Sequence, residues 1–248
     1  MKPIAEKFVP LQGAQGNVIG GKGNKNIGED DPLAPPIGTS RMYIDGHIPN
    51  WKTFVERLHK CVLHTCVTDD HLGKQARGSA LIPCVGEVVE TENALIRTRN
   101  CVTECHERGN KVIFIGNGGS AAIASHMAVD WTKNGGVRSI ALNDAPTLTC
   151  LSNDFGYENV FAKQLEYYAQ PDDVVIIISS SGKSANILEA AYWCSSKSLR
   201  CITFSGMNAE NKLRLKGWLN FHVPVMDYGL VELTHLTLLH SIVSVKWQ

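Results

Sequence analysis

Between Trp51 and Thr68, the apolar residues Phe54, Leu58, Val62 and Cys66 recur every four residues, and this spacing predicts a helix. A second helix is expected from about Val85 to Arg108, burying Val88, Leu95, Val102 and Cys105, with Gly109-Asn110 as its stop. After Lys111 the rhythm changes. Short apolar runs at Lys111–Gly116, Arg138–Leu142, Asp173–Ile178, Arg200–Phe204 and Leu219–Val225 read as strands. Helices are expected between and after them at about 120–134, 157–169, 184–197, 209–215 and 230–246. Strands that alternate with helices and carry β-branched apolar residues indicate an α/β domain with a mostly parallel five-stranded sheet, covered on both faces. Residues 1 to about 40 lack this periodicity: Gly13, Gly16, Gly20, Gly21, Gly23 and Gly28 punctuate them, and Pro32, Pro35 and Pro36 follow. Such a stretch buries little, so residues 1–50 are expected to be an extended or partly disordered arm before a domain spanning 51–248.

Charge narrows the partners. Lys plus Arg and Asp plus Glu are equal at 24 each in 248 residues, so the chain has no general attraction for nucleic acid or acidic membranes, and neither is expected as a partner. No apolar run reaches the roughly 18 residues of a membrane span, and Met1–Pro10 does not read as a secretory signal. The eight cysteines form no CxxC pair, and several fall at apolar periodic positions. Reduced, buried thiols in a cytoplasmic protein are the expectation.

In a parallel sheet, ligands sit where the strands' carboxyl ends lead into helices, which here means after residues 116, 142, 178 and 204. The first strand runs into Gly116-Asn117-Gly118-Gly119-Ser120 and then a helix. Glycines let backbone N–H groups approach an anion, and a helix N-terminus favours negative charge. The third strand runs into Ser179-Ser180-Ser181-Gly182-Lys183-Ser184, again before a helix. One serine there is ordinary capping. Four hydroxyls in six residues, beside a second glycine–serine loop, suit the oxygens of a phosphate. Gly116, Gly118 and Ala121 also satisfy a loose dinucleotide fingerprint, but Asp144 lies too far on and behind a second loop to be its acidic partner. Ile177 stands where a P-loop requires glycine, so Gly182-Lys183-Ser184 is not one, and no nucleotide cofactor is expected.

Gly116–Ser120, Asn153-Asp154-Phe155-Gly156, Ser179–Ser184 and a last helix with His235 and His240 together resemble the sugar isomerase (SIS) family, and within it the phosphoheptose isomerases. The resemblance spans about residues 50–248. It implies a flavodoxin-like three-layer αβα sandwich, a homotetramer, and aldose–ketose isomerisation of a phosphorylated sugar through an enediol. It implies substrate contacts from Asn117, Gly118, Gly119, Ser120, Asn153, Asp154, Ser179, Ser180, Ser181 and Ser184. It places Asp130, Glu232 and His240 in the catalytic set, and His126, Asp130, Glu232 and His240 where some members bind zinc. His126 and Asp130, four apart, share a helix face. The chain departs from the family pattern at several points. Asp130 stands for a glutamate, Glu232 for a glutamine and Lys183 for an asparagine, and Asp227-Tyr228-Gly229 is one residue shorter than usual. Which carboxylate is the base and whether a divalent ion is held therefore stay open at this stage. So does a non-catalytic phosphosugar-binding module as the alternative function.

Overall fold

The computed structural model describes residues 51–69 and 87–244; the arm expected over 1–50 lies outside the described residues. In chain order the elements are α1 (Trp51–Leu63), β1 (Cys66–Asp69), β2 (Glu87–Val89), α2 (Thr91–Glu107), β3 (Val112–Gly116), α3 (Gly119–Lys133) and β4 (Ser139–Ala141). There follow α4 (Ala145–Phe155), a 3-10 turn at Tyr157–Asn159, α5 (Val160–Tyr168), β5 (Val174–Ser179) and α6 (Ala185–Ser196). The chain then forms β6 (Arg200–Gly206), a 3-10 turn at Lys212–Leu215, β7 (Leu219–Val223) and α7 (Tyr228–Ser244).

The sheet order is β2-β1-β7-β6-β5-β3-β4. The five expected strands make its parallel part, β7-β6-β5-β3-β4. Two further strands extend the β7 edge, with β1 antiparallel to both β7 and β2. This corrects the helices expected through Thr68 and from Val85. The first ends at Leu63 because Thr65, Val67 and Thr68 are β-branched and suit a strand. Val67 is fully buried opposite Phe221 in the antiparallel pairing of β1 with β7. A second correction is α4, which sequence periodicity did not mark. Its signal is a cap: the Asp144 carboxylate accepts from Thr147 N at 3.2 Å, with a proline in the first turn.

Residues alternate sides along each central strand. Val112, Phe114, Ile176, Ile178, Phe204 and Phe221 pack under α2, α3 and α7. Ile113, Ile115, Val175 and Ile177 pack against α5 and α6. The result is the expected three-layer sandwich, its middle strands buried on both faces. Trp131 of α3 meets the Phe114 ring edge-on at 5.1 Å, which anchors α3 over the sheet. Among the described residues no helix is long and apolar enough to cross a membrane.

Candidate active site

At the carboxyl end of β3 the chain turns sharply into α3. A Cβ on Gly116 would lie 2.5 Å from the Ser120 backbone, and Gly118 has φ +53°, so both positions require glycine. The first amides of α3, from Gly119 and the buried Ser120, precede the helix's own ladder and are open to an acceptor. At the end of β5 the second loop is less uniform than four serines in a row suggest. Ser179 Oγ accepts from Gly182 N at 3.2 Å and holds the loop's shape. Ser180 Oγ is buried with no hydrogen-bond partner. Ser181 is half-buried. Ser184 occupies the N-cap of α6 but makes no side-chain cap bond, so capping does not account for it. Lys183 is exposed beside it.

The two loops are joined. Asn117 Nδ2 donates to Asn186 Oδ1 at 2.8 Å, and Asn186 Nδ2 donates back to Asn117 Oδ1 at 3.1 Å. Tyr157 Oη adds a third bond to Asn117 Oδ1 at 3.2 Å. The Asn117 side chain, expected to meet substrate, is hydrogen-bonded to Asn186 and Tyr157. Asn186 and Tyr157 had not been singled out in the sequence. An asparagine just inside the serine-rich loop's helix was visible in the sequence, but its burial and its pairing with Asn117 appear only in the structure. Asn153 and Asp154 lie exposed on the last turns of α4, hydrogen-bonded to each other at 2.9 Å.

α3 and α7 run side by side and bring three of the four expected catalytic or metal residues together. His126 Nε2 and His240 Nε2 are 3.2 Å apart. His240 Nδ1 lies 3.4 Å from Asp130 Oδ2, and Asp130 Oδ1 accepts from Asn134 Nδ2. Glu232 is not part of this group. It precedes His240 by eight residues, about 12 Å of helix. Its carboxylate packs on the Gly119 Cα, where an added Cβ would meet it at 2.5 Å. Partial burial raises its pKa above the ordinary glutamate value. A carboxylate thus stands at the helix N-terminus that is otherwise open to an anion.

The four residues do not fit a metal centre in this arrangement. The two Nε2 atoms are spaced as two nitrogens on a tetrahedral ion would be, given bonds of about 2.0–2.1 Å. Asp130, however, is turned to Nδ1 and to Asn134, and Glu232 to Gly119. Among the described residues no group of three or more His, Cys, Asp or Glu side chains is placed to hold a metal ion.

Two other histidines are structural. His235 is buried and donates from Nε2 to the Ser205 carbonyl at 3.0 Å. His222, equally buried, shares a 3.1 Å contact between Nδ1 and Ser205 Oγ. Burial lowers the pKa of His235 to about 4. Burial, helped by the Arg214 charge and by His235, lowers that of His222 to about 3. They brace the end of β6, next to Ser179 on β5. A cavity of about 740 Å³ opens at the opposite, amino end of the sheet around Trp218. Its guanidiniums, from Arg97 and Arg200, are already paired with Asp69 and Glu104.

A family profile described as SIS domain matches residues 81–206, about half of the chain. The chain belongs to the SIS domain family. Similar relatives of this SIS chain include the phosphoheptose isomerase of Thermodesulfovibrio yellowstonii, 38% identical over 138 residues that cover 53% of this chain and 68% of that one. The phosphoheptose isomerase of Crocosphaera subtropica is 39% identical over 157 residues, covering 60% and 79%. Among solved structures, the phosphoheptose isomerase of Neisseria gonorrhoeae superposes with a TM-score of 0.55 at 28% identity, over 60% of this chain and 83% of that one. That of Francisella tularensis gives a TM-score of 0.56 at 26% identity, with the same coverage.

Proposed function

We propose that this SIS-domain protein is an aldose–ketose isomerase for a phosphorylated heptose, interconverting sedoheptulose 7-phosphate and D-glycero-D-manno-heptose 7-phosphate through an enediol. The observation that carries the reading is the reciprocal Asn117–Asn186 amide pair. It holds two helix N-termini, one glycine-rich and one serine-rich, at a single place. An anion there meets open amides, hydroxyls and two favourable helix dipoles. The names of the similar isomerases support the choice of sugar.

In this reading Ser181, Ser184 and the first amides of α6 hold the phosphate, with Lys183 beside them. Ser179 shapes that loop by accepting from Gly182 N, and Ser180, whose buried hydroxyl has no partner among the described residues, adds a hydroxyl to it. Gly118, Gly119 and Ser120 present the amides of α3, while Asn117 fixes their position. Asn153 and Asp154 supply polar groups for sugar hydroxyls. The cluster of His126, His240 and Asp130 handles protons, and Glu232 stands at the glycine loop. Exposed apolar residues on the same two helices, Val129 of α3 at 65% and Leu233 of α7 at 39%, support a face covered by another copy in a homotetramer. Sedimentation at micromolar protein tests this, and a monomer there counts against it. Location in the cytoplasm belongs to the same reading, and fractionation of the native host tests it.

The function is tested by incubating the protein with sedoheptulose 7-phosphate in D₂O and following it by proton NMR. A new aldose carrying deuterium at C2 is the expected result. A substrate that neither converts nor exchanges at C1 refutes the isomerase.

A further inference from the structure

We propose that the cavity at the amino end of the sheet is a second binding site, for a small phosphorylated sugar, separate from the site between the two loops. At about 740 Å³ the cavity falls in the size range of small-molecule sites. It opens between α2, the turn from α6 into β6, and the residues leading into β7. A smaller recess of about 70 Å³ shares Ser198 and Arg200 with it and adds Arg108 and Asp172. Arg200 begins β6, whereas Ser205 near the far end of that strand pairs with Ser179 of the serine-rich loop. The two sites are thus separated by about the length of the strand, roughly 20 Å.

Charge selects an anion. Arg97 is matched by the buried Asp69. Among the described lining residues that leaves Arg108, Arg200 and Lys216 against Asp172 and Glu104. Neither guanidinium is firmly tied. Arg108 lies 3.7 Å from Asp172 and Arg200 3.3 Å from Glu104, and all four side chains are about half exposed. Water competes for pairs of this kind, so they hold weakly. A phosphate beside the recess can take both guanidiniums, whose paired N–H groups match its oxygens better than a lone carboxylate at the surface does. Lys216, with Nζ 4.1 Å over the Tyr192 ring, adds a third cation to the wall.

The rest of the lining suits a sugar. Asn100, Ser195 and Ser198 carry amide and hydroxyl groups, and the half-buried Trp218 ring gives a flat apolar wall. Ser198 is held at φ +56° in the turn after α6, where Leu199 N donates back to the Cys194 carbonyl at 3.0 Å. Glycine adopts that conformation with less strain. The serine instead keeps a hydroxyl on the residue that lines both the cavity and the recess.

The test is fluorine NMR of the full chain carrying 5-fluorotryptophan at its five tryptophans, with Trp218→Phe to assign the Trp218 line. Glucose 6-phosphate is the probe and glucose the control. Glucose 6-phosphate should shift the Trp218 line saturably, and glucose at the same concentration should not. Arg108→Gln and Arg200→Gln should each weaken that titration about tenfold through loss of one charge-assisted contact, with the melting temperature checking that each variant is folded. Ser184→Ala, which alters the other site, should leave the titration unchanged. A Trp218 line that stays still at about 10 mM probe overturns the proposal. So does a titration that both arginine variants leave intact, or one that Ser184→Ala weakens, since the response then originates at the loops. Inorganic phosphate that binds as tightly as glucose 6-phosphate overturns the assignment to a sugar. No arm of the test requires turnover, so its failure leaves the isomerase reading standing, and a failed isomerase assay leaves this site standing.

Discussion

Lowering the pH from 7.5 to 5 is expected to strip about 4 kcal/mol of folding stability through two buried histidines. In the folded chain, burial holds His235 at a pKa of about 4 and His222 at about 3, while an unfolded histidine titrates near 6.5. Both folded values lie below the unfolded one, so the unfolded chain binds more protons as the pH falls. Stability is complete above about pH 6.5 and drains away toward pH 4 and 3. At pH 5 each unfolded imidazole is almost fully charged and each folded one almost neutral. The gap of about 1.5 pH units below 6.5 then costs about 2 kcal/mol per site. Neither ring can escape by taking a new partner. His235 Nε2 already donates to Ser205, and the second nitrogen of each ring is buried without one. Urea denaturation of wild type and His235→Gln at pH 7.5 and pH 5 isolates the effect, because the carboxylates titrate alike in both. The variant should be less stable at pH 7.5 yet lose about 2 kcal/mol less than wild type between the two pH values. Equal losses would refute the claim that His235 is held neutral by the fold.

Three further outcomes follow from the site. Glu232→Gln removes a carboxylate from the N-terminus of α3, so KM for a phosphorylated sugar should fall severalfold, and the difference should shrink in high salt; steady-state kinetics at two ionic strengths checks this, and a raised KM counts against it. Ser184→Ala should raise KM at least tenfold with little change in melting temperature, since Ser184 makes no cap bond, whereas Ser179→Ala should cost stability of about 1 kcal/mol by losing the Gly182 N contact. Asn117→Ala and Asn186→Ala should be strongly non-additive in a double-mutant cycle, with a coupling of about 0.5–3 kcal/mol read from denaturation, because each removes the same reciprocal pair.

Much of this was legible along the chain. α4 was not, and the helix expected at 209–215 is a 3-10 turn at Lys212–Leu215, but the five parallel strands, the helices α3, α5, α6 and α7 and both anion-suited loops follow from local periodicity, glycine placement and hydroxyl density. Those are properties of neighbouring residues and survive without knowledge of the rest. His240 and Glu232 on α7 were picked out by the resemblance to the family, not by spacing along the helix.

What tertiary structure decided are the pairings between distant segments. A strand at Cys66–Asp69 exists because β7 offers it an open edge, more than 140 residues later, and that edge outweighs the helical rhythm preceding it. Asn117 is tied to the serine-rich loop's helix because Asn186 arrives opposite it. Asp130 and Glu232 looked alike as candidate bases, yet one lies against His240 and the other against Gly119. Sequence supplies which groups can donate, accept or carry a proton. Only the packing of α3 against α7 sets which of them lie within hydrogen-bonding distance, and proton transfer depends on distances of a few ångströms that spacing along a single helix does not determine.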